Sequence, residues 1–364
     1  MKSRTGFRRT STRELPHQAR AAEILEFSYN HALCAVRYLL RSCSRRLGSA
    51  RPRRAIAYTL AMLIVTQASA CAFVLSPRVA PEQADAQAAV EHSVRFTVGE
   101  IREIGHPGFD RSHANDGLWT PLTMVEKVGA GIYFLEPYDP ERIPVLFIHG
   151  IDGTPRDFRN MIESLDRSRF QAWAFHYPTG LRMHVVVRIL HGLVDQLRRK
   201  HGFGALFVTA HSAGGLVSRG YLKSMLSNGD QYVKLLVTFS SPWEGHRWAA
   251  VGTQYMFSPV PSWFDLSPGS EFLISLREPL QHSGHRIPHF VFFGFRRTPS
   301  IVMTESSDGV IAMASQLPLW VQEQAERCWG FDVAHTGILS DGAALKRYDS
   351  LLKREADRLP RSHR

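Results

Sequence analysis

The sequence predicts an α/β fold in which a doubly wound, mostly parallel sheet carries helices on both faces. Three observations lead there. Short unbroken apolar runs recur between residues 145 and 294, and stretches with helical spacing of apolar residues alternate with them. One junction, Ala210-His211-Ser212-Ala213-Gly214, passes from such a run into a helix through a serine set among small residues. Charge is concentrated at one end. Residues 1–55 hold 13 Lys/Arg against 3 Asp/Glu, so all but one of the net +11 charges lie there. The near-neutral remainder argues against a nucleic-acid partner.

The basic region 1–54 runs into 55–75, a stretch with no charged residue that follows Arg51, Arg53 and Arg54. A basic segment feeding an apolar one is the pattern of an export signal. It ends at Ala68-Ser69-Ala70-Cys71, which fits cleavage after Ala70 and also a bacterial lipoprotein box with Cys71 as the acylated residue. Ala68 stands where such boxes usually carry Leu. An uncleaved anchor is a third reading, because about 20 apolar residues span a bilayer. A buried core helix is the bland one. The resulting expectation is a signal or anchor over 55–71, a Pro/Ala/Gln-rich tether over 72–93, and a globular domain over 94–364. Of the four cysteines only Cys71 and Cys328 follow the signal, so no disulfide framework is expected.

Residues 94–98 and 131–136 read as lead-in strands, separated by a turn-rich stretch over 105–117. Val145-Leu146-Phe147-Ile148 reads as a strand buried on both faces. Thr154 then caps a helix with Pro155 at its first position and Asp157 in its first turn. Strand 171–175 follows, then helix 183–199 with Val186, Leu190, Leu193, Val194 and Leu197 on one side. Strand 205–209, helix 213–226, strand 234–239, strand 289–294 and helix 343–357 complete the series. Between the last two strands lies an aromatic-rich insertion, about 243–287, with Trp243, Trp248, Tyr255, Phe257, Trp263, Phe264 and Phe272. It reads equally as a lid that binds an acyl chain and as ordinary packing onto the sheet.

Ser212 is the candidate nucleophile. A serine at the tip of a sharp strand-to-helix turn requires small residues two positions to either side, which Ala210 and Gly214 supply. The free N–H groups and dipole of the following helix favour negative charge beside it. After the strand ending at Ile148, the loop His149-Gly150-Ile151-Asp152-Gly153-Thr154 is placed to offer the Ile151 N–H to an oxyanion, with the Ala213 N–H as second donor. Gly150 and Gly153 are expected to let this loop turn. His149 is a weaker candidate for the base than for a structural role. The chain order Ser, acid, His selects Asp308, in the turn Glu305-Ser306-Ser307-Asp308-Gly309, ahead of Glu305 and Asp332. It also selects His335, the last histidine before the tail, as general base.

The run 131–138, Ile143-Pro144-Val145 into His149-Gly150, Thr154–Phe158, Ala210–Gly215, Ser240-Ser241-Pro242, Asp265–Ser270, Asp308-Gly309 and His335 together resemble bacterial α/β-hydrolase-fold lipoproteins related to lipases and GPI-inositol-deacylase-like esterases. The likeness spans about 94–345 and departs at Ala210, where glycine is commoner. It implies hydrolysis of carboxylic or lipid esters by Ser212, His335 and Asp308 without metal or cofactor. A membrane partner would come through the N-terminal anchor, and the place of action would be the cell envelope or, with simple cleavage, outside the cell. The same triad serves acyltransferases, thioesterases and amidases. A third class, an inactive envelope binding protein keeping only the fold, is opposed by the intact Ser, Asp and His in the required order.

Overall fold

The computed structural model describes residues 96–256, 258–296 and 306–360. The basic region, the apolar 55–71 segment with Cys71, and the whole of the tether over 72–93 lie outside the described residues, as do Phe257 and Glu305. The chain divides into two units, 1–76 and 77–364, and all described residues belong to the second.

Eight strands form one sheet: β1 (Thr97–Ile101), β2 (Gly131–Phe134), β3 (Ile143–Ile148), β4 (Phe170–His176), β5 (Leu206–His211), β6 (Val233–Phe239), β7 (His289–Gly294) and β8 (Arg327–Phe331). Their order is β1-β2-β4-β3-β5-β6-β7-β8. From β3 to β8 all are parallel, while β2 runs antiparallel to β4 and carries β1 parallel to itself. The chain leaves β3 for β4 on one side and returns to β5 on the other. That reversal opens a crevice at the carboxyl ends of β3 and β5, where open α/β sheets place their ligands.

Alternation along β3 sends Leu146 and Ile148 to one face and Val145 and Phe147 to the other, as a strand period of two requires. On the first face, helices α4 (Met183–His201) and α5 (Ala213–Ser227) bury Val186, Leu190, Leu193, Val194, Leu197, Val217, Leu222 and Met225. The second face is covered by the 3-10 turn Pro155–Phe158, α3 (Arg159–Glu163) and α11 (Gly342–Asp357), through Phe158, Met161, Ile162, Tyr348, Leu351 and Leu352. At the start of that turn the Thr154 N–H donates to the Asp157 carboxylate (3.1 Å).

Three elements differ from the sequence expectation. The first strand begins at Thr97 and runs to Ile101, three residues beyond the expected 94–98. The stretch read as turns is largely helical, with α1 (Ser112–Trp119) and α2 (Pro121–Val128). Asn, Asp and Gly are weak helix formers, but backbone packing holds α1: Gly180 N–H donates to Gly117 O, and a Cβ at Gly180 would lie 2.1 Å from Leu118 O. Strand β8 has no apolar alternation because it is an edge whose residues are half-buried or exposed. The insertion after β6 is helical, comprising α6 (Arg247–Tyr255), α7 (Pro261–Leu266) and α8 (Glu271–Ser275), with a two-residue ribbon before β7. Helices α9 (Met313–Gln316) and α10 (Leu319–Gln324) precede β8.

Candidate active site

Ser212 joins β5 to α5 with φ 53° and ψ −130°, a backbone state that strains a non-glycine residue by about 1–3 kcal/mol. The surroundings over-determine it. Its N–H donates to Phe239 O at the end of β6 (2.8 Å), and its carbonyl accepts from Gly215 N–H (3.0 Å). A Cβ on Gly214 would stand 2.2 Å from Ile148 O and 2.6 Å from His149 O, and one on Gly215 would meet Ser241 Oγ at 2.1 Å. Helix α5 can therefore approach the ends of β3 and β6 only with glycine at both positions. Ala210, fully buried, pairs with Ile148, so its methyl is accommodated where glycine is commoner.

Gly150 brings the loop after β3 directly onto the serine, since a Cβ there would lie 2.6 Å from Ser212 Cβ and 3.2 Å from Ser212 Oγ. The glycines of this loop serve close approach. Positive φ falls on Asp152 (52°), not on Gly150 or Gly153, which corrects the expectation that they supply the turn. The Gly150 carbonyl accepts from Gly153 N–H (3.1 Å) and lies 3.0 Å from His149 Nδ1. A trans peptide points its N–H opposite its carbonyl, so these contacts aim the Ile151 N–H away from the loop's interior. Ala213 opens α5, where an N–H has no intrahelical acceptor.

Asp308 is 1% exposed. Its Oδ1 accepts from the N–H groups of Val310 (3.0 Å) and Ile311 (2.7 Å), and its Oδ2 lies 2.7 Å from His335 Nδ1. Burial alone would raise this carboxyl. The His335 hydrogen bond and charge, with the two amides, outweigh burial and leave it below the usual carboxylate range. The Asp308 carbonyl also accepts from His335 N–H (2.9 Å), and Gly294 at the end of β7 leaves only 2.9 Å between a would-be Cβ and Asp308 Cβ. His335 lies against the serine's own strand. Its carbonyl is 3.1 Å from His211 Nε2, and the two rings stand 4.7 Å apart. With Nδ1 committed to Asp308, Nε2 keeps its lone pair. No hydrogen bond joins Ser212 Oγ to His335 among the described residues, and such bonds commonly tighten only when substrate binds.

The rivals fall elsewhere. Asp332 is exposed and pairs with Arg296 (3.4 Å). His149 is wholly buried, stacked on Tyr177 at 4.5 Å and within 3.4 Å of His176 Nδ1. Burial pulls its pKa down to about 4. It sits at the start of the 149–154 loop, and Tyr177 OH donates to its carbonyl (2.7 Å). Sequence reasoning did not find His176, Tyr177 or Gly294 as site residues, which carry no local pattern and matter only through contacts made across the sheet.

A cavity of about 440 Å³ lies between the insertion and the 310–315 segment, walled by Glu244, His246, Trp248, Val251, Val310 and Ser315. None of the three candidate catalytic side chains lines it. It adjoins the acid through Val310, whose carbonyl is 3.0 Å from His246 Nε2. Among the described residues no group of His, Cys, Asp or Glu is placed to hold a metal ion.

Six parallel strands in the order β4-β3-β5-β6-β7-β8, a reversed β2 and a strained serine after β5 define the α/β-hydrolase fold. No protein-family model and no curated protein sequence matches the chain. Among solved structures, the mature lipase BlEst2 of Bacillus licheniformis is similar over 61% of this chain and 97% of its own, at 19% identity and TM-score 0.48. A carboxylesterase structure from Nitrososphaera gargenis is similar over 63% and 95%, at 14% identity and TM-score 0.41. Phospholipase PlaB of Legionella pneumophila is similar over 48% of this chain and 45% of its own, at 17% identity and TM-score 0.39.

Proposed function

We propose that this chain hydrolyses carboxylic esters through an acyl-enzyme on Ser212. The observation that carries the reading is the Asp308–His335 contact of 2.7 Å, made by a histidine whose ring packs against His211, the last residue of the serine's own strand. His335 Nε2 accepts the hydroxyl proton as Ser212 Oγ bonds to the ester carbon. The carbonyl oxygen takes the negative charge toward the N–H groups of Ile151 and Ala213. His335 then returns the proton to the departing alcohol oxygen, and water repeats the sequence to release the acid. Asp308 holds the Nδ1–H tautomer and stabilises the imidazolium. Each oxyanion donor is worth about 3 kcal/mol in such sites.

An apolar acyl group is the proposed substrate side. Trp248 and Val251 of the insertion and Val310 of the acid turn give the 440 Å³ cavity an apolar wall next to the site. Turnover of p-nitrophenyl esters from two to sixteen carbons tests both parts. Ser212→Ala is expected to lower kcat by about 10⁴–10⁶-fold, and equal turnover by both proteins would remove the nucleophile assignment. A maximum at two to four carbons would remove the acyl cavity.

The place of action proposed is the cell envelope. Support comes from the Arg51–Cys71 sequence alone, because that segment lies outside the described residues, and no described helix is long and apolar enough to cross a membrane. Mass spectrometry of the mature N-terminus decides it. Diacylglycerol on Cys71 supports the lipoprotein form, and an unmodified chain starting at Cys71 supports plain secretion.

A further inference from the structure

A second cavity, of about 220 Å³, lies away from Ser212 where the end of the insertion meets α5 and α10. Its walls include Arg219, Arg286, His289, Leu280, Ile287 and Glu323. Arg219 is 1% exposed and has no carboxylate partner among the described residues. Its Nε donates to Leu276 O (2.5 Å), its Nη2 donates to Glu278 O (2.9 Å) and to Gln324 Oε1, and its plane lies over Trp320. No described acceptor meets its Nη1. A buried cation held only by neutral acceptors keeps a large desolvation penalty. Burial pulls the guanidinium down to about 10, so it stays charged at neutral pH.

His289 in the same cavity wall adds a second unused group. Its Nε2 is 2.9 Å from Thr238 Oγ1, and its buried Nδ1 has no partner. Burial, then the Arg219 charge, hold this ring neutral. In the tautomer where Thr238 donates to Nε2, the proton sits on Nδ1 and can be donated to an occupant. Arg286 lies closer to the surface, pairing with Glu326 (3.3 Å) and donating to Gln324 O (2.9 Å).

We propose that this cavity binds a small carboxylate, held by Arg219 Nη1, His289 Nδ1–H and Arg286. A planar guanidinium matches a carboxylate, and the buried Leu280 and Ile287 offer a short alkyl group an apolar wall. Exposed Glu323 at the mouth penalises a dianion more than a monoanion, which favours carboxylate over phosphate. Because Arg219 ties α5 to the 276–278 segment and to α10, an occupant here braces the base of the insertion.

The test is thermal unfolding and titration calorimetry of the 364-residue chain with propionate, phosphate and chloride at matched ionic strength. Propionate is expected to bind saturably and to raise Tm by roughly 3–6 °C at about ten times Kd. Arg286→Gln should weaken binding about tenfold with ester turnover unchanged, and Glu323→Gln should tighten it. Arg219→Gln should abolish it. If that variant does not fold, the first two still decide. Equal shifts with chloride, tighter binding of phosphate, or titrations unaltered in Arg286→Gln each overturn the proposal. So does a Glu323→Gln protein that loses stability without gaining affinity, since Glu323 would then be Arg219's own counter-ion.

Discussion

At the carboxyl edge of the sheet, backbone meets backbone. Gly150, Gly214 and Gly294 each leave no room for a Cβ, and Ser212, Asp308 and His335 are all at most 9% exposed. In the insertion between β6 and β7, aromatic side chains do the packing, and they divide. Trp243 is 1% exposed, with its ring against His289 and Trp320, whereas Trp248 is 53%, Tyr255 70% and Phe264 44% exposed. Close backbone approach at this edge leaves its side chains little freedom, which is what chemistry at a single carbon would need. The insertion buries one end of itself and leaves exposed aromatic side chains at the other, Trp248 among them in the cavity wall where an acyl group is proposed to lie.

The sharpest way to break this comparison is at the acid. Asp308→Asn keeps the shape of the turn but lets the amide donate to His335 Nδ1, so the wrong tautomer faces Ser212. Ester turnover is expected to fall about 10⁴-fold. Asp332→Asn, which loses only an exposed pair, should change it less than twofold. Comparable losses in both variants would mean that the edge does not select its acid as its geometry suggests.

The next effect contrasts two tryptophans five residues apart in chain number but opposite in environment. Trp243→Ala empties a buried site and should destabilise the protein by about 3–5 kcal/mol in urea unfolding. Trp248→Ala should change stability by less than about 0.5 kcal/mol while raising KM for long-chain esters. Equal destabilisation by both would show that the exposed half of the insertion is packed in solution.

How much of this was legible follows the same division. Ser212, Asp308 and His335 could be named as candidates because strand, turn and helix each leave a local pattern and the order of the three follows the topology; the structure puts Asp308 and His335 2.7 Å apart and Ser212 at a strained turn. Helix α1 could not, because what holds it is contact of Gly117 and Leu118 with the 178–180 segment, more than sixty residues away. Strand β8 was hidden by its half-exposed edge position. The 149–153 loop was found for partly the wrong reason. Its glycines look like turn formers in one dimension, and their need for closeness to Ser212 becomes visible only when β3 and β5 are neighbours.

The smallest expected effect per group concerns the buried histidines of the edge. Burial first, and then nearby charge, pull His211 down to about 3, while burial pulls His149 down to about 4. The unfolded chain binds their protons near pH 6.5. Between about pH 6.5 and 4 the unfolded state therefore holds protons that the folded state does not, and stability rises with pH. Their contribution is complete above pH 6.5 and is lost toward the folded values, at up to about 1.4 kcal/mol per pH unit for each histidine. Asp308 acts in a lower window. Its lowered carboxyl contributes above about pH 3.9 and loses that contribution as pH falls through its folded value. Urea midpoints measured from pH 7 to 5 should fall steeply, and His149→Asn should flatten the slope by about 1 kcal/mol per pH unit. An unchanged slope in that variant would mean the ring is protonated and paired in the fold, and the edge would then be less dry than its packing implies.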